Sequence, residues 1–147
     1  MARTRKDPRH RAREAALQIL YQWEIGGRDI EKTADTYFTL QWPDRDEPPD
    51  ELRAFASALA RDTTERLGEI DPIIADTAER WRPERMAVLD RLILRMAVCE
   101  MLRDPATPAP VVINEALELA RTFTTEESVK FINGMLDAIR KKLTVTP

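Results

Sequence analysis

Apolar residues recur at three- and four-residue intervals along almost the whole chain, and no stretch alternates at period two, so the pattern predicts helices throughout. The first runs from residue 8 or 9 to 24 on Ala12, Ala15, Ala16, Ile19 and Leu20, and stops at Gly26-Gly27. The second starts at Asp29, a good N-cap, and carries Ile30, Tyr37, Phe38 and Leu40 inward as far as Trp42-Pro43. A polar, proline-rich loop at 43–49 leads to a third helix that Asp50 can cap. Its stripe is Leu52, Phe55, Ala56, Leu59 and Ala60, and it ends near Leu67-Gly68. A fourth is expected at 71–79, with Pro72 in its first turn. Trp81-Arg82-Pro83 punctuates the chain before a fifth at 84–102, with Met86, Leu89, Ile93, Met96 and Ala97 inward. Prolines 105, 108 and 110 precede a sixth at 111–123, and Thr124 with Glu127 has the spacing of a capping box for a seventh, 124–143. Seven helices joined by short loops predict an all-α fold.

Composition narrows the function. The content is 43% apolar and 33% charged, as in soluble globular domains, and 147 residues fit a single domain built of small helical bundles. No apolar run approaches the ~20 residues of a membrane span, and no secretory leader is evident, so a cytoplasmic protein is expected. One cysteine and one histidine do not make a zinc site. Glycines 26, 27, 68 and 134 form no phosphate-binding or dinucleotide loop. His10 lies in a basic segment, which leaves a histidine-assisted hydrolase unsupported. Cys99, inside an apolar run, reads as a buried inert thiol. A binding protein without cofactor or metal is expected, not an enzyme.

Charge is distributed unevenly. Arg3, Arg5, Lys6, Arg9, Arg11 and Arg13 face only Asp7, giving the first thirteen residues +5 while the whole chain is −3. A basic arm on an acidic body gives a polyphosphate one place to dock, through phosphate neutralisation and counterion release. Residues 1–8 are expected to be flexible and the arginines exposed. A solvated basic tail without a ligand explains the same charge.

The most specific stretch lies near the end: INEALELA at 113–120, then ESVKFINGMLD at 127–137. Ile113, Leu117 and Ala120 fall on one helix face, and Ile132, Met135, Leu136 and Ile139 on another. Gly134 costs a helix about 1 kcal/mol relative to alanine, which suggests a closely packed neighbour. Asn114 and Asn133, beside these faces, read as cross-helix hydrogen-bonding residues.

These blocks, with DRLILRMAVCE at 90–100 and RHRAREAALQILYQWE at 9–24, resemble the bacterial transcription antitermination factor NusB family. They stand in that family's order and cover 9–143, most weakly across 26–60. The resemblance implies an all-helical, seven-helix fold of two small bundles packed together. It implies binding of boxA single-stranded RNA in ribosomal-RNA leaders together with the ribosomal protein NusE, within an RNA polymerase antitermination complex that reads ribosomal operons. It assigns RNA contacts to Arg9, His10, Arg11 and Arg13 and to Glu127, Lys130 and Phe131. It assigns the NusE surface to Tyr21, Asp90, Arg91 and Arg95. On residue type alone, Phe131 reads as core, Tyr21 as a core-edge residue, and Asp90, Arg91 and Arg95 as a solvated helix face.

Two other readings accompany this one. A related helical domain serves as the RNA-binding part of certain ribosomal-RNA cytosine methyltransferases, but this chain carries neither a glycine-rich cofactor loop nor a second cysteine. A homodimer with an incidental basic arm is the other. Three positions depart from the family pattern: Cys99 for an aromatic, Thr124 for a glycine, and Pro110 for a lysine.

Overall fold

The computed structural model describes residues 8–27, 29–78 and 86–145. Among these, the regular elements are α1 (Pro8–Gly26), α2 (Ile30–Thr36), α3 (Asp50–Glu65), α4 (Leu67–Thr77), α5 (Val88–Arg103), α6 (Ala109–Phe123) and α7 (Glu126–Val145). A π-helical turn over Tyr37–Gln41 continues α2. The all-α expectation holds. Apart from Pro8, the arm expected to be flexible lies outside the described residues, as do the break at 81–83 and the expected start of the fifth helix. The chain divides into two compact units, residues 1–61 and 62–147, with the division inside α3.

In the first unit, Gly27 adopts a left-handed φ of 67° and its N–H donates to the Trp23 carbonyl at 3.0 Å, closing α1 as a terminal glycine should. Asp29 caps α2 by accepting from the Lys32 N–H at 3.3 Å. Ala12, Ala15, Ala16, Ile19 and Leu20 are all buried. The π-helical turn changes the outcome for the end of the second helix. An i→i+5 turn holds an extra residue, so Tyr37 and Phe38 go into the core while Leu40, expected inside, is 77% exposed. Trp42 closes an aromatic cluster, its ring centroid 6.4 Å from that of Tyr37 and 5.8 Å from that of Phe38. Burial raises the Tyr37 phenol above its ordinary pKa. Asp50 is the first residue of α3, where with Glu51 it places negative charge at the positive end of the helix.

In the second unit, α4 begins at Leu67, earlier than the expected residue 71, and runs through Gly68 and Pro72. Gly68 is not a stop, because the only positive φ among the described residues is that of Gly27. A single non-helical residue, Arg66, separates α3 from α4. The central element is α5, which packs against α4, α6 and α7. Every residue from Leu92 to Glu100 is buried. Arg95, expected on a solvated face, is therefore only 8% exposed. Its Nε and Nη2 donate to Asp71 Oδ1 and Oδ2 at 2.9 and 2.8 Å, a bidentate pair that ties α5 to α4. Cys99 is fully buried, and burial pushes its thiol pKa up against a Thr63 hydrogen bond that lowers it, in keeping with an inert thiol.

The apolar faces of α6 and α7 are buried as expected, at Ile113, Leu117 and Ala120 and at Ile132, Met135, Leu136 and Ile139. The polar residues beside them behave differently. Asn114 and Asn133 are exposed, not bonded across helices, and Gly134 is exposed with nothing within 4 Å of where a Cβ would stand. No close helix approach explains that glycine. The cap of α7 is also one residue later than expected. Thr125 Oγ1 accepts from the Ser128 N–H at 3.1 Å, while the Thr124 hydroxyl donates back to the Ala120 carbonyl at the end of α6.

Two substitutions test this packing. Arg95→Ala strands the Asp71 carboxylate, whose side chain keeps 31% exposure, so the destabilisation should be about 2–3 kcal/mol in denaturant melts, below that of a fully buried pair. Asp71→Asn combined with Arg95→Ala should recover part of it; a change below about 0.5 kcal/mol for the single substitution would show the pair to be dispensable. Thr125→Ala should cost about 1 kcal/mol by removing the cap.

Candidate binding surfaces

The first candidate surface is the start of α1. Helical geometry spreads residues 9–13 around the axis, so the four basic side chains do not share one environment. Arg9 is exposed and Arg11 half-buried, while His10 and Arg13 are 9% and 5% exposed. Arg9 lies 4.7 Å from the ring centroid of Phe55 on α3, and Arg13 lies 5.4 Å from the same ring. Arg11 stacks 4.9 Å from the Trp42 ring and pairs with Asp44. His10 faces Glu14 one turn later at 3.5 Å. The arginines expected to be exposed thus divide. Arg13 is a packed part of the first unit, whereas Arg9 and Arg11 present charge at its surface over aromatic faces.

Phe55, Trp42 and Asp44 did not emerge from the sequence as neighbours of the arm. Arg11 and Asp44 are 33 residues apart, and only the aromatic content of the second and third helices hinted at such partners. Further along α1, Tyr21 is 40% exposed and Ile25, one turn on, is 64% exposed. Together they make an apolar spot at the C-terminal end of the helix.

The second candidate surface lies in the second unit, at the N-terminus of α7 and the start of α5. Lys130 and Glu127 are exposed, and Phe131 is half-buried rather than core. Asp90 is 8% exposed, and its Oδ2 accepts from the Ser128 hydroxyl at 3.0 Å. A cavity of about 290 Å³ is lined by Met86, Ala87, Asp90, Thr125, Glu127, Ser128 and Phe131. Asp90 therefore shares a cavity with Glu127 and Phe131, residues that the sequence resemblance placed on a different surface. It does not group with Arg95, which is committed to Asp71. Arg91 is half-buried beside it on α5. The described residues contain no group of three or more His, Cys, Asp or Glu side chains able to hold a metal, and no helix long and apolar enough to cross a membrane.

Comparison with known proteins places the chain in a family. The NusB family model matches residues 10–141. The transcription antitermination protein NusB of Solibacter usitatus (strain Ellin6076) is 50% identical over 135 residues, which is 92% of this chain and 90% of that protein. A structure of T. maritima NusB superimposes with a TM-score of 0.81 at 34% identity, covering 94% of each chain. A crystal structure of antitermination factors NusB and NusE in complex with dsRNA gives a TM-score of 0.78 at 24% identity, covering 92% of this chain and 97% of that one, which is a likeness of fold. With the family model matching residues 10–141 and half the aligned residues identical to those of a relative, the chain belongs to the NusB family.

Proposed function

We propose that this protein is a transcription antitermination factor that binds boxA-type single-stranded RNA of ribosomal-RNA leader transcripts together with NusE. In this reading it acts in the cytoplasm, within an RNA polymerase complex that reads through terminators in ribosomal operons. The NusB family is one of RNA-binding antitermination factors, not of enzymes. The observation that carries the RNA reading is the pair Arg9 and Arg11, held at the surface of the first unit over Phe55 and Trp42. Guanidinium groups neutralise phosphates, and adjoining aromatic faces suit the unstacked bases of a single strand. Lys130 with Phe131 offers the same pairing of cation and ring at the start of α7. His10 and Arg13 support the arm from beneath, being buried. Glu127 adds no affinity for phosphate.

For NusE, the supporting observation is Tyr21 and Ile25, an exposed apolar spot at the end of α1. An amphipathic tyrosine at the rim of such a spot is the residue type that anchors protein interfaces. A second copy of this chain is the other occupant that the spot would suit, and light scattering with and without RNA separates the two.

Arg9→Ala with Arg11→Ala should weaken binding of a boxA RNA, and the slope of log K against log salt should flatten by about one unit for each phosphate that is no longer neutralised. Arg13 stays untouched in this test because its removal would disturb the packing on Phe55. Titrations at several salt concentrations measure it, and an unchanged slope would show the arm to be a solvated surface. A scrambled RNA bound equally well would defeat the boxA reading.

Tyr21→Asp should reduce NusE affinity about tenfold or more while the RNA affinity of the isolated protein holds, since it places a charge in an interface without a mate. At 40% exposure the substitution should leave the melting temperature nearly unchanged. Equal weakening of both bindings, with a lower melting temperature, would mean Tyr21 serves the fold alone.

A further inference from the structure

One loop of the first unit closes on a cation that the RNA reading uses. Residues 42–49 join the π-helical turn to α3 without regular structure, and Pro43 and Pro48-Pro49 stiffen the loop at both ends. Residues 44–50 carry Asp44, Asp46, Glu47 and Asp50 against Arg45 alone, a net charge of −3 beside the most basic part of the chain. The Arg11 guanidinium lies 4.9 Å from the Trp42 ring centroid, and its Nη2 donates to Asp44 Oδ2. The Trp42 indole N–H donates to the Asp46 carbonyl at 3.0 Å. The loop that neutralises Arg11 therefore also fixes the ring on which Arg11 stacks. An anionic oxygen on the guanidinium of Arg11 is what a nucleic acid backbone would itself supply.

We infer that Asp44 is an intramolecular stand-in for an RNA phosphate, which holds Arg11 in the RNA-free protein and is displaced when a strand binds. This role rests on the reading of Arg11 as an RNA contact and deepens it, by adding a residue that opposes binding and so sets its threshold. The exposure of the pair, 33% for Arg11 and 46% for Asp44, puts it in the class of ion pairs that contribute little to folding and exchange readily. The Arg95–Asp71 pair, at 10% and 31%, is the contrasting case of a clamp closed on both oxygens. A guanidinium accepts carboxylate or phosphate in the same planar geometry, so replacing one by the other asks nothing further of Arg11. Once displaced, Asp44 stays tethered beside Arg11 by its loop and competes at a high effective concentration. Cognate and scrambled strands must both displace it, so it lowers both affinities by one factor. The ratio between sequences is left to contacts with the bases, while sequence-blind binding to the arm is held down.

Calorimetry on the full-length protein tests this, with a boxA RNA and a scrambled RNA of the same length at several salt concentrations. Asp44→Asn keeps the size of the side chain and removes its charge, and should tighten binding of both RNAs about two- to fivefold. The slope of log K against log salt should stay as in wild type, because the strand meets the same cations in either protein. Glu47→Gln removes one charge from the same loop without touching the Arg11 pair, and should change affinity less than about twofold. In an Arg11→Ala background the gain from Asp44→Asn should vanish, the signature of direct coupling. If Asp44→Asn binds RNA no more tightly than wild type, or keeps its gain without Arg11, the stand-in is overturned while the RNA reading stands. Equal gains from Glu47→Gln and Asp44→Asn would show that the loop acts by net charge alone, against the inference. A slope steeper by about one unit in Asp44→Asn would mean that wild type never frees Arg11, and displacement would be wrong. If neither wild type nor Asp44→Asn binds either RNA, the RNA reading falls and the stand-in with it.

Discussion

The burial of α5 is the constraint on which the second unit depends. A helix buried on every side from Leu92 to Glu100 has no solvent face on which to discard a charge. Each ionisable group it carries must find a partner in a neighbouring helix or remain unmet. Arg95 meets the requirement through both oxygens of Asp71, which also fixes how α4 lies along α5. Asp90, at the less enclosed end, meets it only halfway through Ser128 of α7. The same constraint therefore generates a structural clamp at one point and an open valence at another. Which of the two arises depends on whether the facing helix supplies a complementary group.

The first unit solves a similar problem with rings instead of carboxylates. Arg9 and Arg13 lie against Phe55, Arg11 against Trp42, and Arg53 against Phe38. Such contacts let a cation be held in place without its charge being cancelled. A surface arginine that is positioned yet still charged gives up less entropy on meeting a phosphate than one on a free tail. Arg11 and Arg53 are also paired, with Asp44 and Asp35, which neutralise part of their field. The pair of Arg11 and Asp44, at 33% and 46% exposure, is weakened by solvent.

Much of the fold was readable from the chain. Helix periodicity, the Gly26-Gly27 stop, the Asp29 cap and the apolar faces of α6 and α7 all follow from local rules, and a residue obeys these whatever lies across from it. The motif blocks carried the family in the same way, since they are contiguous. The misplaced features lie where local rules leave two options open, a register of one residue or a choice of face. Leu40 turned outward through a π-helical turn, Gly134 and Asn133 turned to solvent, and the cap of α7 shifted by one residue to Thr125.

The candidate sites divide along the same line. By itself the sequence determined that cations gather at 9–13, that Tyr21 lies beyond them on the same helix, and that a carboxylate, a lysine and a ring follow one another at 127–131. It could not decide which of those charges is available. Arg9 and Arg13 are equally basic, one helical turn apart and both near the ring of Phe55 on a different helix, yet Arg9 is exposed and Arg13 only 5% exposed. Asp90 and Arg95 read as part of a solvated face, since Arg91 and Arg95 stand one turn apart on the same helix. Only the closing of α4, α6 and α7 around α5 buried them, spent Arg95 on Asp71 and left Asp90 beside Glu127 and Phe131. Residue type and spacing are local quantities, whereas burial and the pairing of charges are set by what arrives from elsewhere in the chain.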